Sequence, residues 1–497
     1  MKYMKSLRTW CVFLFLSLSV FLFAQETSFP NLYRYTLENG LELFVAEDDS
    51  APLAYIELAV RAGAVTQTPE TAGLFHLYEH MLFKGNSKYA SQTEFTEAEN
   101  KMGAIDENGS TGIDRVNYFF TVPSSQVKNG LEFWSYALRT PNLDKTELEN
   151  EKAVVLSEIN ADFTDPAHIR SAALSKHLFP EGAWRLDPGG EPSVVKTATT
   201  GDLRAMQKQY YVPENSAIFV GGDVHHEEIY RYVKSIYGDW KNPREEPPAF
   251  PQASKNPLAF LGGDLKLVHV TPGTSDGVTS VVYYVRGPDG EFDAKDTYAA
   301  DVLVNLLNNP SGDFATSLVS NKKLSIPNTD YVGLSYPTRR ASGILGFYAY
   351  VLNQDGGSPV QKAEEFLRTL KNDVVPLITS DSFYEKNSIS SVIKQLEDSR
   401  VYELESAKAI LSSLSFFWSA CGADYFFSYD ENIARVTKND VISFVHDYIT
   451  DKKGILLVRV SPSVWEAYKT EFIKNGFQEI TAENAFWMND KTEEIQK

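Results

Sequence analysis

Two kinds of hydrophobic pattern alternate along the chain. Short segments rich in Val, Ile, Tyr and Phe predict β-strands, and longer segments with apolar residues three or four apart predict helices. In the first part, the predicted strands are Leu41–Ala46, Leu53–Arg61, Arg115–Val122 and Ser216–Gly221. The helices predicted there are Leu74–Phe83, Gln92–Met102, Val127–Leu138, Lys145–Asp162 and His168–Leu178. Ser91 and Glu94 have the spacing of a capping box at the start of the second of these helices.

The same succession of elements returns in the second part of the chain. Its predicted strands are Lys266–Val270, Thr279–Val285, Ile344–Leu352 and Gly454–Val460, and its predicted helices are Ala294–Leu307, Val360–Asp373 and Ser380–Glu397. The order strand pair, helices, strand, helices, strand thus occurs twice. The pattern predicts an α+β fold of two homologous α/β-sandwich halves, each a helix-covered, mostly antiparallel sheet.

A proline-rich segment separates the two halves. Its prolines are Pro243, Pro247, Pro248, Pro251 and Pro257. Helices and central strands do not tolerate this density of proline, so we expect an extended linker over residues 241–260. The predicted halves are then residues 30–240 and 261–490, each of ordinary domain size.

The first 24 residues have the layout of a secretory signal peptide. Lys2, Lys5 and Arg8 precede the apolar run Trp10–Phe23, and the small residue Ala24 follows. The run is shorter than the roughly 20 residues of a membrane-spanning helix, although a retained N-terminal anchor is the alternative. We therefore expect an exported bacterial protein, periplasmic or secreted, with no stable membrane span once the signal is removed.

Charge and cysteine content narrow the possible chemistry. The formal net charge of −19 argues against binding of nucleic acid, which depends on dense Lys and Arg. The chain has two cysteines, Cys11 and Cys421, so a Cys-based zinc module is excluded. Any metal ion must therefore be held by histidines and carboxylates.

The strongest chemical signal is the segment His76-Leu77-Tyr78-Glu79-His80. In a helix, His76 and His80 are one turn apart on the same face, a separation that suits two nitrogen ligands of one zinc ion. Glu79 leans toward the same face, where its carboxylate can deprotonate a zinc-bound water without being a ligand. This is the inverted order H-x-x-E-H.

A catalytic zinc ion usually has three protein ligands, so a third must come from elsewhere. The helix predicted over Lys145–Asp162 offers four acids: Glu147, Glu149, Glu151 and Glu158. Glu151 and Glu158 are seven residues apart and share a face, but the helical pattern alone leaves open which of the four reaches the metal.

With these residues in place, the chain resembles the pitrilysin/insulinase family of zinc metallopeptidases. His76–His80 followed by Glu158, the continuation Met81-Leu82-Phe83-Lys84-Gly85, and Glu151 through Glu158 all match the family's motifs. The length and the two-half layout resemble its processing-peptidase-like branch.

The resemblance implies a role for each matching residue. His76, His80 and Glu158 would bind one Zn²⁺ per chain, Glu79 would be the general base, and Glu151 would support the site from behind the ligands. Asn108, Gly109, Ser110 and Thr111 match the family's substrate-binding edge strand, to which a peptide would add itself as another strand. Residues 30–240 would then be the zinc-bearing catalytic half, and 261–490 a degenerate, metal-free half.

The second half departs from the family at one point. Many members place an Arg and a Tyr there, or in a partner subunit, to grip the substrate. The matching positions here hold Val319 and Ile326, and Arg339, Arg340, Tyr331 or Tyr336 are alternatives. We therefore expect a partner: a zinc-less homologous subunit that supplies the pair, or a second copy in a homodimer.

Two functional classes remain open at this point. The leading one is a zinc-dependent endopeptidase that hydrolyses peptides or unfolded segments, with the zinc-bound water activated by Glu79. The alternative is a catalytically silent structural or peptide-binding subunit of a processing-peptidase-like complex. The complete set of His76, Glu79, His80 and Glu158 favours the enzyme, because silent members usually lose one of these residues.

Overall fold

The computed structural model describes residues 25–26, 29–242 and 252–490. The predicted signal peptide, residues 1–24, lies outside the described residues, as does 243–251 within the predicted linker. No helix within the described ranges combines the length and the apolar character needed to cross a membrane.

The first sheet contains seven of the described strands. They are β1 (Gln25–Glu26), β2 (Leu32–Thr36), β3 (Glu42–Glu47), β4 (Leu53–Val60), β5 (Ile105–Thr111), β6 (Val116–Pro123) and β7 (Ser216–Gly222). Their order is β1-β2-β3-β7-β4-β6-β5, which places β5 at one edge. Strands β3 and β7 are parallel, and the other neighbouring pairs are antiparallel.

The second sheet repeats this arrangement with six described strands. They are β8 (Leu265–Val270), β9 (Val278–Arg286), β10 (Val332–Ser335), β11 (Ile344–Leu352), β12 (Ile455–Val460) and β13 (Gln478–Ile480), in the order β10-β11-β9-β12-β8-β13. The run β8-β12-β9-β11-β10 has the order and the directions of β3-β7-β4-β6-β5. The predicted α+β fold with two mostly antiparallel halves is confirmed.

Helices cover both sheets. Those before the linker are α1 (Leu74–Leu82), α2 (Gln92–Met102), α3 (Val127–Arg139), α4 (Lys145–Asp162), α5 (Pro166–Leu178), α6 (Pro192–Thr197), α7 (Thr200–Tyr210) and α8 (His226–Tyr237). Those after it are α9 (Ala294–Leu307), α10 (Asp313–Ser320), α11 (Pro359–Thr369), α12 (Val375–Ile378), α13 (Asp381–Lys386), α14 (Ile389–Glu403), α15 (Ala407–Ala420), α16 (Ala423–Ile433), α17 (Lys438–Tyr448), α18 (Pro462–Lys474) and α19 (Ala482–Ala485).

At the contact between the two halves, each half packs one helix on the sheet of the other. One face of the first sheet packs on helices of its own half, such as α1 and α3. Its other face, with Phe44 and Phe219, packs on Leu411 and Trp418 of α15, which belongs to the second half. In return, α5 of the first half packs on the second sheet against β8 and β12. Each sheet therefore needs the other half to bury both of its faces.

A polar cluster lies within this contact. Glu57 on β4 is fully buried, and its carboxylate accepts hydrogen bonds from Tyr55 (2.8 Å), Asn117 (2.8 Å) and Ser415 of α15 (2.6 Å). The Arg115 guanidinium donates to Ser415 at 2.7 Å and lies 3.4 Å from Glu57. The buried charge is thus compensated by groups from both halves.

Most predicted elements agree with the structure, and two local predictions are wrong. The continuous helix over Ser380–Glu397 is broken between α13 and α14, because the Ser388 side chain accepts from the Ser391 N–H and starts a new helix. The capping box at α2 is half formed. Ser91 accepts from Glu94 N–H, but the Glu94 carboxylate bonds to the Ala90 N–H instead of that of Ser91. The residue bounds of the predicted halves stay a prediction.

Candidate metal centre

Helix α1 presents the two histidines on its less buried face. Leu74, Phe75, Leu77, Tyr78, Met81 and Leu82 are buried and anchor the helix in the core. Gly73, just before the helix, has a φ of 95° and packs so closely on Gly189 that a Cβ would lie 2.7 Å from its carbonyl oxygen. This contact fixes where α1 begins. His76, Glu79 and His80 then point toward α4 and the edge strand β5.

Helix α4 brings its glutamates to this face. The Asp144 carboxylate caps the helix by accepting from the N–H groups of Thr146 and Glu147. Leu148, Glu151, Val155 and Ile159 form its buried side, which contacts α1. Glu158 follows on the same side but is more exposed, at 47% of its side chain.

His76, His80 and Glu158 converge on one point. The two Nε2 atoms lie 3.2 Å apart, and Glu158 Oε2 lies 3.3 Å from His76 Nε2 and 3.5 Å from His80 Nε2. Donors that bind one tetrahedral zinc ion at about 2.0–2.1 Å lie about 3.3 Å from each other. The three donors therefore have the spacing and the chemistry that a zinc ion requires. Among the described residues, no other histidines, cysteines or carboxylates form such a group.

Glu151 supports this triangle from behind His80. Its Oε2 lies 3.0 Å from His80 Nδ1, and its Oε1 accepts from Lys84 Nζ at 2.7 Å. In the tautomer whose Nδ1–H donates to this carboxylate, the lone pair of Nε2 is free to bind a metal ion. Lys84 lies two residues beyond the end of α1 and was not among the predicted site residues, because the predicted helix ends at Phe83 and gave no signal for it.

His76 is held in its neutral form. Burial, and then the neighbouring His80, lower the pKa of His76 to about 4. A neutral imidazole is the form that binds a metal ion.

Glu79 lies beside the triangle and is positioned by β5. Its Oε2 accepts a hydrogen bond from the Thr111 hydroxyl at 2.7 Å. A Cβ added to Gly109 would come within 3.0 Å of Glu79 Oε1 and 2.9 Å of the Phe83 ring. Burial raises the pKa of Glu79 above its usual range. A carboxylate with a raised pKa is suited to accepting and returning a proton near neutral pH.

The structure separates the predicted site residues into two groups. His76, Glu79, His80, Glu151 and Glu158 are brought together. Glu147 lies in the first turn of α4, and Glu149 is exposed and paired with Lys152 at 2.9 Å. Of the four acids that the pattern left open, Glu158 completes the triangle.

The predicted substrate-binding residues all lie on the edge strand. Asn108, Gly109, Ser110 and Thr111 pair with β6 through one side of β5 and are half-buried or exposed. Gly109 and Thr111 face Glu79. The other side of β5 has no strand beside it in the described part of the chain.

Val319 and Ile326, which occupy the positions of the family's Arg/Tyr pair, pack into the second half, and two of the alternative residues are bound to other groups. Ile326 is buried, and Val319 packs on the core of the second half. Arg339 lies 3.9 Å from Asp114, and the Tyr336 hydroxyl donates to the Pro288 carbonyl.

Comparison with protein families gives two matches in tandem. Residues 43–186 match the model of the family described as Insulinase (Peptidase family M16), and residues 197–381 match that described as Peptidase M16 inactive domain.

Curated relatives carry related names. The probable mitochondrial-processing peptidase subunit beta of Arabidopsis thaliana is 26% identical over 48% of this chain and 45% of that protein. The zinc protease PqqE of Helicobacter pylori is 24% identical over 60% of this chain and 66% of its own length. The chain thus covers less than two thirds of either relative. An uncharacterized zinc protease of Streptomyces coelicolor is 21% identical over 87% of this chain and 90% of that protein.

Solved structures share the fold. A protease from Helicobacter pylori superposes with a TM-score of 0.68 at 19% identity, over 87% of this chain and all of that one. The periplasmic protease PqqL from Escherichia coli has a TM-score of 0.68 at 16% identity, over 90% of this chain and 50% of that one.

Proposed function

Because the chain belongs to the insulinase family of peptidases, peptidase family M16, we propose that it is a zinc-dependent endopeptidase acting on peptides or unfolded segments. The observation that carries the proposal is the triangle of His76 Nε2, His80 Nε2 and Glu158 Oε2, with edges of 3.2, 3.3 and 3.5 Å. Its edges suit one tetrahedral zinc ion, and a carboxylate in the position of a general base lies beside it.

In this proposal, the residues of the triangle bind the metal ion and two neighbouring residues orient them. His76, His80 and Glu158 would hold the ion, which supplies Lewis acidity and a water of lowered pKa. Glu151 keeps the His80 ring in orientation through Nδ1, and Lys84 keeps Glu151 in place. A ring held in this way loses less freedom when it binds the ion.

Glu79 moves the proton. Its carboxylate takes a proton from the attacking water, whose oxygen bonds to the scissile carbonyl carbon. When the C–N bond breaks, Glu79 returns that proton to the amine nitrogen. The Thr111 hydroxyl orients the carboxylate through Oε2, and the missing side chain at Gly109 leaves space at Oε1.

The free edge of β5 is the proposed place for the substrate backbone. An extended peptide that adds to an open sheet edge forms main-chain hydrogen bonds that do not depend on sequence. Asn108, Gly109, Ser110 and Thr111 would provide these bonds next to Glu79.

Export and a partner subunit belong to the same proposal. Residues 1–24 have the layout of a signal peptide, and one protein of similar fold, PqqL from Escherichia coli, is named as a periplasmic protease. This chain spans half of that neighbour, and three relatives are named as beta subunits of mitochondrial processing peptidases. A zinc-less homologous subunit would supply the Arg and Tyr that Val319 and Ile326 replace; a homodimer is the alternative, and its second copy would carry the same Val319 and Ile326.

The alternative is a catalytically silent subunit, and the match of residues 197–381 to a family described as an inactive domain favours it. It differs from the enzyme in one measurable property. A silent subunit would bind peptides along β5 without cleaving them.

The test combines zinc content with Glu79→Gln. The protein, purified together with any subunit that remains bound to it, is expected to contain one zinc ion per copy of this chain and to cleave unfolded peptides. Glu79→Gln should keep the zinc and lower cleavage by about 10²–10⁴-fold, because it removes the proton acceptor and leaves the ligands intact. Elemental analysis and a fluorogenic peptide library measure the two quantities.

Glu149→Gln is the matched control, since Glu149 lies on α4 but is exposed and paired with Lys152. It should change neither quantity. Unchanged cleavage by Glu79→Gln would contradict the role of Glu79. Bound zinc without Glu79-dependent cleavage of any peptide would favour the silent subunit.

A further inference from the structure

The turn between β5 and β6 connects the proposed general base to the second half of the chain. It comprises residues 112–115, and Thr111, which donates a hydrogen bond to Glu79, comes directly before it. Thr111 also pairs with Val116, the first residue of β6. A shift of the turn therefore moves the Thr111 hydroxyl relative to Glu79.

The first half holds the beginning of this turn through its backbone. The Ala64 N–H donates to the Gly112 carbonyl at 3.1 Å, and the Val65 N–H donates to the Ile113 carbonyl at 2.9 Å. These bonds fix the first two residues of the turn.

The second half holds the remaining two residues of the turn. Asp114 Oδ2 accepts the Arg340 N–H at 3.4 Å and lies 3.9 Å from Arg339 Nη1. Arg115 Nη1 donates to Ser415 Oγ of α15 at 2.7 Å. Both contacts cross the boundary between the halves, so the position of the turn depends on the second half.

The segment that meets Asp114 is itself anchored in the second half. The Gly290 N–H donates to the Arg339 carbonyl at 2.8 Å, and the Glu291 N–H donates to the Arg340 carbonyl at 3.1 Å. The Glu291 carboxylate also accepts a hydrogen bond from the Arg340 guanidinium. Residues 339–340 can therefore serve as a fixed support for the turn.

Asp114 is a buried carboxylate that depends on this support. It is 2% exposed, and its Oδ1 is buried without a hydrogen-bond partner in the described part of the chain. Burial raises the pKa of Asp114, and Arg339 and the Arg340 N–H oppose that rise. Among the described residues, its hydrogen bond and its nearest cation both come from the second half. Because an uncompensated buried carboxylate is costly, these contacts favour the position in which Asp114 reaches them.

We propose that Asp114 is a positioning residue for the general base: by binding residues 339–340, it holds the β5–β6 turn where the Thr111 hydroxyl reaches Glu79. This inference rests on the proposed role of Glu79. It gives the second half a part in the order of the catalytic site, exerted through the backbone of β5.

A double-mutant cycle tests the link to Thr111. Asp114→Ala should lower kcat by about three- to tenfold, no more than the loss of the Thr111 hydrogen bond itself. Thr111→Val already lacks the hydroxyl, so adding Asp114→Ala to it should slow cleavage no further. Two independent effects would instead multiply.

Three further variants define the contact. Asp114→Asn should keep kcat within a few-fold, because its amide oxygen can still accept the Arg340 N–H. Arg339→Gln removes the ion pair from the other side and should lower kcat by about two- to fivefold, again without effect in Thr111→Val. It also keeps the test available if Asp114→Ala does not fold. Arg368→Gln is the control, since Arg368 is an exposed arginine of the second half that pairs with Glu365 at 2.8 Å, and kcat should not change.

Hydrogen exchange measures the position of the turn without cleavage. In the zinc-bound protein, Asp114→Ala should speed the exchange of amide groups in residues 105–116, because the turn opens more often. Mass spectrometry of peptic fragments detects this, and Arg368→Gln should leave the exchange there unchanged.

The two measurements separate this inference from the proposed activity. Multiplied effects of Asp114→Ala and Thr111→Val, or an Asp114→Ala protein as fast as the original, overturn the positioning role. An original protein that cleaves no peptide contradicts the endopeptidase instead. In that case the exchange of residues 105–116 still decides whether Asp114 holds the turn, and an unchanged rate in Asp114→Ala means that it does not.

Discussion

Thr111 positions the proposed general base by donating a hydrogen bond of 2.7 Å to Glu79 Oε2. Thr111→Val keeps the shape of the side chain but removes this bond, so kcat is expected to fall about tenfold, a usual loss for a hydrogen bond to a charged group. Zinc content should not change, since Thr111 does not contact His76, His80 or Glu158. Peptide cleavage and elemental analysis check both.

Thr111→Ser is the matched control because it retains the hydroxyl. Its kcat should stay within a few-fold of the original protein. A serine variant as slow as the valine variant would mean that the methyl group of Thr111 matters more than its hydrogen bond.

At the residue scale, the sequence predicted what lies within one helix and not what meets across two. The spacing of His76, Glu79 and His80 is set by the helix itself, so it was predictable. The choice of Glu158 needed the resemblance to a family, because the docking of α4 on α1 decides which acid reaches the histidines.

At the element scale, the contact of α15 with the first sheet depends on a glycine. A Cβ added to Gly221 on β7 would lie 2.6 Å from Leu411 Cδ1 and 3.1 Å from Ala407 Cβ. Gly221→Val should therefore push α15 away and destabilise the protein by about 1–3 kcal/mol, although valine favours strands. A lower Tm in thermal unfolding measures this.

Gly262→Val provides the comparison, because a Cβ at Gly262 has no neighbour within 4 Å among the described residues. It should leave the Tm nearly unchanged. An unchanged Tm in Gly221→Val would mean that α15 does not hold the halves together as the packing indicates.

Element types were predictable from hydrophobic periodicity, whereas their partners were not. The apolar faces of α5 and α15 indicate that each helix is buried, but a period of 3.6 residues does not say against which sheet. The reciprocal exchange of helices was therefore absent from the predicted architecture of two self-contained halves. The break before α14 was missed because apolar residues continue on both sides of Ser388.

At the scale of the whole molecule, the exchange of helices makes the halves mutually dependent. The first sheet would expose Phe44 and Phe219 without α15, and the buried Glu57 would lose its bond from Ser415. We expect one cooperative transition in differential scanning calorimetry instead of two. The calorimetric and van't Hoff enthalpies should agree for that single transition.

Expression of residues 25–242 alone tests whether the first half can fold without the second. This fragment should bind the dye ANS, because the sheet face that α15 covers becomes accessible. Two well-separated transitions in the full chain, or a fragment that folds without binding the dye, would contradict the coupling.

The composition of β5 has a consequence for how the protein behaves at high concentration. An open strand edge normally invites pairing with the same edge of another copy and is a common start of aggregation. Here the edge carries Asp106, Glu107 and Asn108 in succession, and the chain as a whole has a net charge of −19. Two such edges repel each other, so pairing of β5 with β5 of another copy is disfavoured while the edge stays open to a foreign segment.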